Sequence, residues 1–369
     1  MTEAKRSGQR VKAGDNGNVS PGSLSGPGQL AAAVAIATDG SGLPEEQLGE
    51  YALGHGLKLS SARPTIFEYI RQLWQRRHFI TGFATAMNMA MYTEARLGQL
   101  WQVLTPLLNV AVYFLIFGEL LHTSRGVPNY IAFLVTGVFV FNFSQRSFLI
   151  ASRVMNDSLP LIRVLHFPRA CLPLGYVLIE LQQLIVSFTV LFAIVLISGE
   201  PLTWYWLLAI PALILQTLFN FGGGLILARW GAGFDDVSQL LPFIVRTWLY
   251  LSGVLFSIQA LALIHGGVLF KHPRLAFGLQ INPAAVFITL VRNAILHSQR
   301  VSQPGAKPYD AGKCSLYMRF PDQHLLDAAH CHPIVTQPDL WLIGAGWAIV
   351  TLVIGFVFFW QAETRYGRG

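Results

Sequence analysis

Residues 96–118, RLGQLWQVLTPLLNVAVYFLIFG, determine the fold class of this chain. The segment begins with polar and basic side chains around Trp101, and its apolar part from Val103 to Leu121 carries no charge until Glu119. About 20 mostly apolar residues suffice to cross a hydrocarbon core of roughly 30 Å. Tryptophan favours the membrane–water boundary, and Arg96 lies beyond it on the polar side. The pattern predicts an interfacial helix that continues into a membrane-spanning one.

The composition supports a membrane protein. The chain has 369 residues, of which 53% are hydrophobic and only 12% charged, and its mean hydropathy is +0.48. Soluble domains carry about twice that charged fraction. The net charge of +7 is explained by arginines that flank apolar runs, and no basic patch interleaved with aromatics indicates nucleic acid. We therefore expect membrane contact and no nucleic-acid partner.

Five further apolar runs follow the first, and each is long enough to cross a membrane. We expect an all-α integral membrane protein with six transmembrane helices. The predicted spans are about 103–121, 130–151, 172–197, 204–228, 240–263 and 340–360.

The chain before the first span divides into two parts. Residues 1–62 are rich in Gly, Ser, Pro and Ala, and such a composition predicts a disordered tail because it offers little apolar area to bury. The transmembrane domain is expected to occupy residues 63–369. From Thr65 to Arg77 apolar residues recur at helical spacing, with Thr65 and Glu68 placed as a capping box. This pattern predicts an amphipathic helix in the interface of the cytoplasmic leaflet.

The distribution of arginine predicts the orientation. An even number of spans places both termini on one side of the membrane. The flanks and loops on that side carry most of the arginines, whereas the opposite short loops carry Arg125 and, around Gly199, only Glu200. Basic residues favour the cytoplasmic side, so both termini are expected to be cytoplasmic.

Residues 264–339 form a long outer loop in this topology. Its apolar piece Ala284–Leu296 would cover about 20 Å as a helix, which is less than the roughly 30 Å core. We expect outer-side re-entrant or interfacial helices here rather than a seventh span. The loop also contains Cys314 and Cys331 with three nearby histidines. A disulfide, a zinc site and free thiols are all compatible with this pattern, and the disulfide fits the oxidising side of a membrane.

Three separated patches resemble the membrane subunit of type-2 ABC exporters that move polysaccharides and teichoic acids. The first carries Arg96, Gly98, Leu100, Trp101, Leu104, Pro106, Leu107, Leu108, Val112, Tyr113, Ile116, Phe117 and Gly118. The second is NDSLPLIRVLHFPRACLP at 156–173, and the third is DVSQLLPFIVRTWLYLS at 236–252. The chain departs from the family pattern at Asp235, where a basic residue is usual, and in its long outer loop.

The resemblance implies a channel-forming permease subunit in the bacterial cytoplasmic membrane. Its substrate would be a lipid-linked cell-envelope polysaccharide of galactan, teichoic acid or O-antigen type. The chain would act as a homodimer with two nucleotide-binding subunits. No phosphate-binding loop occurs, since Gly312-Lys313 is followed by Cys314, so ATP and Mg²⁺ would bind to the partner subunit. The chain itself is expected to be a transporter subunit and not an enzyme. Alternatives are a permease for a small hydrophobic molecule or drug, and an ATP-independent membrane transferase or scaffold.

Three groups of residues are candidates for this function. Residues predicted to couple the chain to the nucleotide-binding subunit are Asn156, Asp157, Leu161, Ile162, Arg163, Phe167, Pro168 and Arg169. Residues predicted at the entry of the lipid head group are Arg71, Arg76, Arg77, Arg96 and Trp101. Residues predicted to line the conduit are Tyr113, Phe139, Phe141, Phe143, Arg146, Trp248 and Tyr250.

Each group also has a simpler interpretation. The coupling residues could form a plain cytoplasmic turn whose arginines only set the topology. The aromatic residues could face lipid or pack between helices, as they do in many membrane proteins. Arg146 could extend to the cytoplasmic surface instead of facing a cavity.

Overall fold

The computed structural model describes residues 64–93, 98, 100–121, 127, 129–164, 167–258, 272–296 and 337–363. Three of the predictions fall outside these ranges. They are the disordered tail, the contribution of Arg96 to the entry site, and the pairing of Cys314 with Cys331.

Within the described ranges all regular secondary structure is helical. The helices are α1 (Ile66–Gln75), α2 (Arg77–Thr93), α3 (Leu100–Tyr113), α4 (Tyr130–Asp157), α5 (Leu159–Val164), α6 (Cys171–Ile197), α7 (Ala209–Gly233), α8 (Asp235–Leu251), α9 (Pro273–Gln280), α10 (Pro283–Ile295) and α11 (Gln337–Gln361). A π-helical turn, Phe114–Leu120, extends α3, and a 3₁₀ turn, Trp204–Leu208, precedes α7.

Among the residues that the structure describes, five helical segments are long and apolar enough to cross a membrane. They are Val103–Leu120, Tyr130–Asp157, Cys171–Ile197, Trp204–Gly233 and Asp339–Gln361. A sixth crossing results if the pair Arg274–Gln280 and Pro283–Ile295, bent by 70°, is one broken span. The predicted all-α integral membrane fold is confirmed.

The fifth apolar run differs from its prediction. Helix α8 has 17 residues and ends at Leu251, whereas the sequence predicted a span from 240 to 263. At 1.5 Å per residue α8 covers about 25 Å, which is less than the hydrocarbon core. The chain turns after Ser252 because Gly253 has a φ of +68°, a left-handed conformation that ends the helix.

Helix α10 lies inside the bundle and not on its surface. Ten of its side chains are buried, and it packs against α4, α7 and α11. Its Arg292 donates to three backbone carbonyls: Nε to Phe133 at 3.1 Å, and the terminal nitrogens to Gly253 and Val254 at 2.8 Å each. The guanidinium also lies 3.3 Å from the centre of the Phe133 ring. This single side chain therefore fastens the break after α8 to the second span.

Helices α7 and α11 cross with their backbones in close contact. A Cβ atom added at Gly222 would lie less than 3.0 Å from the backbone of Thr351 and Leu352. One added at Gly355 would lie 2.9 Å from the Gly222 Cα. Membrane helices have no hydrophobic driving force for association, so small residues that allow close backbone packing stabilise such crossings.

Candidate functional site

The predicted coupling segment, residues 156–169, connects α4 to α6. Its short helix α5 exposes Arg163 and leaves Val164 74% exposed, whereas Ile162 is buried beneath it. Asn156 anchors the start of the segment, because its side-chain amide donates to the carbonyl of Gly231 at the end of α7, at 3.2 Å. The segment thus presents a partly apolar tip with a charged side chain beside it.

The end of the coupling segment is held by a cluster of hydrogen bonds around Glu363, which follows the last span. Tyr69 of α1 donates its hydroxyl to Glu363 Oε2 at 2.7 Å, and the Arg169 backbone N–H donates to Oε1 at 3.0 Å. The Arg169 guanidinium also donates to the backbone carbonyl of Glu363. In turn, the Tyr69 hydroxyl accepts from the Ala170 backbone N–H at 3.2 Å. We call Tyr69, Glu363 and residues 169–170 the Glu363 cluster.

Burial changes the acidity of both side chains in this cluster. Desolvation raises the pKa of Tyr69 well above its usual value near 10, and the Glu363 carboxylate raises it further. Desolvation also raises the pKa of Glu363, although the Arg169 backbone N–H and the Tyr69 hydroxyl oppose that shift by stabilising the carboxylate. Between the two side chains, the Tyr69 hydroxyl is the donor and a Glu363 carboxylate oxygen is the acceptor, in a site with little access to water.

The predicted entry residues lie on the N-terminal helices and on α3. Arg71, Arg76 and Arg77 are exposed around the end of α1, and Trp101 on α3 is 42% exposed. Helix α1 begins as the capping pattern predicts, since the Thr65 hydroxyl accepts from the Glu68 backbone N–H at 3.4 Å.

The apolar stripe of α1 is also exposed. Phe67, Ile70 and Trp74 present 85%, 47% and 69% of their surface. The Arg77 guanidinium lies 5.2 Å from the centre of the Trp74 ring, and an exposed apolar face flanked by exposed arginines is typical of a helix that lies in a membrane interface. The role of these residues in lipid entry stays a prediction.

Helix α2 follows α6 in parallel along its first half. A Cβ added at Gly175 would lie 3.0 Å from the Phe83 ring. Further along both helices, Asn88 meets Gln182 and Gln183. Their amides bond in sequence, at 3.2 Å from Asn88 to Gln182 and 3.4 Å from Gln183 to Asn88. The chain of bonds ends at Arg146, which donates to Gln183 Oε1 at 3.1 Å.

A polar cleft adjoins Arg146 between the first three spans. Its lining includes Pro106 of α3, Asn142 of α4, and Glu180 and Ser187 of α6. The free space of about 20 Å³ has room for about one water molecule. Glu180 is only 4% exposed, and no hydrogen bond to its carboxylate is formed by the residues that the structure describes. A buried ionisable group within a span is costly and commonly marks a functional position.

The predicted conduit residues fall into two sets. Phe139, Phe141 and Phe143 are buried within the chain, at 2%, 1% and 2% exposure. Phe141 contacts the Trp248 ring edge-on at 5.5 Å, and the Trp248 indole donates to Asn282 Oδ1 at 2.7 Å.

The second set is more accessible. Tyr113 and Arg146 are half-buried, and Tyr250 is 46% exposed. The structure therefore brings Arg146, Phe139 and Phe143 together at the polar cleft, and it places Phe141 and Trp248 in a separate interior contact. Whether either set lines a conduit stays a prediction.

Two acidic residues at these sites were missed by the sequence reasoning. Glu180 carried a usable signal, because it is the only charged residue in the apolar run of the third span. Glu363 carried none, since it lies in a polar stretch beyond the last span and its partner Tyr69 is 294 residues away in sequence.

Several known proteins are similar to this chain in sequence. A family model described as ABC-2 type transporter matches residues 83–296. The O-antigen export system permease protein RfbA of Myxococcus xanthus is 23% identical over 239 residues, which cover 65% of this chain and 87% of that protein. RfbA of Klebsiella pneumoniae is 26% identical over 167 residues, covering 45% of this chain and 64% of that protein. The polysialic acid transport protein KpsM of Escherichia coli is 25% identical over 179 residues, covering 46% of this chain and 66% of that protein.

The family match covers more than half of the chain, and it includes α3 through α10 with the coupling segment and the polar cleft. It confirms the resemblance seen in the three sequence patches and identifies a multi-pass transporter subunit. This chain belongs to the ABC-2 type transporter family.

Proposed function

We propose that this chain is the channel-forming permease subunit of an ATP-driven exporter of a lipid-linked cell-envelope polysaccharide. The observation that carries the proposal is the similarity to RfbA of Myxococcus xanthus, a protein named for O-antigen export, over 87% of its length. The similarity to KpsM of Escherichia coli, which is named for polysialic acid transport, points to the same substrate class. A glycan of the galactan or teichoic acid type is equally compatible with this proposal.

The energy source in this proposal is a separate subunit. Two copies of an ATPase bind ATP and Mg²⁺ and contact the coupling segment of two copies of this chain. The exposed tip at Arg163 and Val164, above the buried Ile162, supports this role because an apolar anchor with a charged rim suits insertion into a partner groove. ATP binding brings the ATPase subunits together and moves the segment, which is joined directly to the second and third spans.

The substrate enters from the cytoplasmic leaflet in this proposal. The exposed arginines at the end of α1 attract the anionic head group, because basic residues at a membrane surface bind phosphate-containing lipids. The glycan then passes between the two copies. The first span supports a position at this seam, since Leu108, Val112 and Leu115 are more than half exposed in the single chain.

Two experiments test the proposal. The first solubilises the chain in detergent and identifies proteins that co-purify in stoichiometric amount, and we expect an ATPase with a phosphate-binding loop. The matched variant is Val164→Asp, which places a charge on the exposed apolar tip and leaves the buried Ile162 unchanged, and it should abolish co-purification. A control change at the exposed Ile185 on α6, Ile185→Ala, should leave it intact.

The second experiment depletes the chain in cells and follows lipid-linked glycan on each side of the membrane. We expect the glycan to accumulate on the cytoplasmic side. Normal outward delivery after depletion would exclude an export role. Export without any ATPase partner would favour a transferase or scaffold, and transport of small hydrophobic molecules with unchanged glycan would favour a drug permease.

A further inference from the structure

The Glu363 cluster joins three elements that are distant in the sequence. Tyr69 belongs to the amphipathic helix α1, residues 169–170 end the coupling segment, and Glu363 follows the last span. Each of the two Glu363 carboxylate oxygens accepts a hydrogen bond from a different element, Oε2 from α1 and Oε1 from the coupling segment. One carboxylate therefore connects all three.

The geometry of the cluster is more specific than packing alone requires. Tyr69 is 1% exposed, and its hydroxyl both donates to Glu363 and accepts from Ala170. A buried carboxylate is costly unless its hydrogen-bonding capacity is satisfied. Tyr69, Glu363 and the backbone at 169–170 satisfy one another, so a movement of any one element without the others would break bonds in a site with little water.

Further contacts surround the cluster. Tyr69 contacts the Phe356 ring of α11 at 5.8 Å, and Phe167 of the coupling segment contacts Phe79 of α2 at 5.4 Å. The Trp360 indole of α11 donates to the carbonyl of Pro64, just before α1, at 2.9 Å. Helix α1 is thus held to the last span at both ends of its first turn, and the coupling segment is held to both.

We propose that Tyr69 and Glu363 are positioning residues that pass the movement of the coupling segment to helix α1 and to the last span. The chain connects the segment covalently only to α4 and α6, so those spans respond without the cluster. Helices α1 and α11 are not directly continuous with the segment, and the cluster is the hydrogen-bonded link that joins the segment to both. Since α1 carries the arginines of the entry site, ATP-driven movement of the segment also moves the surface that receives the lipid head group. This inference rests on the proposed function.

The test uses the full chain with its co-purified ATPase in lipid nanodiscs. Spin labels are placed at Glu68, which is exposed on α1, and at Ile185, which is exposed on α6, through Glu68→Cys and Ile185→Cys. Their distance is measured by pulsed electron resonance with and without ATP. We expect a shift in the otherwise unmodified chain. We expect that shift to disappear in Tyr69→Phe, which removes one oxygen and keeps the ring, and in Glu363→Ala.

Activity provides a second readout. In both variants glycan export is expected to fall at least about fivefold while the ATPase rate of the complex stays within about twofold, because the lost contact couples two processes and performs neither. Glu363→Gln keeps one acceptor oxygen and should retain part of the export. Glu68→Gln changes an exposed carboxylate on the same helix and should have no effect.

The outcomes separate the two levels of the proposal. An ATP-dependent shift that persists in both variants overturns the role of the cluster and leaves the proposed function standing. No shift with ATP in the unmodified chain likewise overturns only the role of the cluster, whereas the absence of a co-purifying ATPase overturns both. If Glu363→Ala does not fold, Tyr69→Phe gives the result, because it removes the hydroxyl without creating a large cavity. A parallel loss of export and ATPase activity in Tyr69→Phe would indicate a purely structural contact and would also overturn the role.

Discussion

The crossing of α7 and α11 allows a stability prediction with an internal control. Three consecutive glycines, Gly222, Gly223 and Gly224, face different neighbours. A Cβ at Gly222 meets the backbone of α11, one at Gly223 meets the Phe148 ring at 2.6 Å, and one at Gly224 meets Val177 at 3.4 Å. On α11, a Cβ at Gly346 meets nothing within 4 Å. The same chemical change, Gly→Ala, can therefore be made at four graded distances.

The magnitude follows from what can move. Carbon atoms prefer separations of about 3.5–4.0 Å, so a methyl group at Gly222 forces two helix backbones apart by roughly 1 Å. Inserting a methyl group into a tight contact typically costs about 1–3 kcal/mol. Alanine gains up to about 1 kcal/mol over glycine in helix propensity. Gly346→Ala should show this gain in helix propensity without a steric clash, so its stability is the reference for the other three variants.

The assay is thermal unfolding of the purified chain in detergent. A change of 1 kcal/mol shifts Tm by about 2–4 °C in domains of 150–250 residues. We expect Gly222→Ala to melt roughly 2–10 °C below Gly346→Ala on that scale. Gly223→Ala should fall between them because a side chain can rotate away, and Gly224→Ala should match the reference.

One result would refute this reasoning. If Gly222→Ala melts at the same temperature as Gly346→Ala, the helices do not pack at the separation seen here. An equal drop in Tm in all four variants would likewise show that the glycines stabilise the chain through something other than these helix contacts.

Three further predictions concern buried charges. Arg292→Met should destabilise the chain by about 2–5 kcal/mol in thermal unfolding, because it leaves three buried carbonyls without a donor, and Arg292→Lys should recover less than half of the loss because one ammonium group cannot reach all three. Arg146→Leu should destabilise by roughly 1–3 kcal/mol, since it removes the cation that lines the same cleft as the buried Glu180, and adding Glu180→Gln should restore most of that stability; no recovery in the double variant would show that the two side chains do not interact. Burial raises the pKa of Glu363, so the folded chain holds this proton to higher pH than the unfolded chain, and its contribution to stability is complete below about pH 4 and is lost as pH rises through the folded-state pKa. As the pH rises above about 4, the Tm of the unmodified chain should therefore fall relative to that of Glu363→Gln, and parallel curves would refute the shift.

The spans could be predicted from sequence because a membrane imposes a local rule. Backbone groups in lipid must bond within their own helix, so each crossing requires about 20 apolar residues in a row. Val103–Leu120, Cys171–Ile197 and Asp339–Gln361 lie within a few residues of the predicted spans. The start of α1 could also be predicted, because the Thr65 hydroxyl caps the helix at the Glu68 backbone N–H, only three residues away.

The fifth run could not be predicted in the same way. Its apolar residues continue past Leu251, but the helix ends there, and the carbonyls that follow it bond to Arg292. Hydropathy contains no information about a hydrogen-bond donor that lies 39 residues beyond Gly253 in the sequence. The burial of α10 has the same origin, because its short apolar segment is shielded by other helices rather than by length.

The candidate site divides along the same line. The membrane class and the amphipathic helix α1 could be predicted from the sequence, because residue type and spacing along one segment carry the physical reason for each. The coupling and lipid-entry roles stay predictions. The tertiary structure alone joined Tyr69 to Glu363 and Arg146 to Gln183, and it alone showed Glu180 buried beside a cleft. Those contacts satisfy buried polar groups across helices, and a hydrogen bond between distant segments depends on where the helices cross, which no periodicity records.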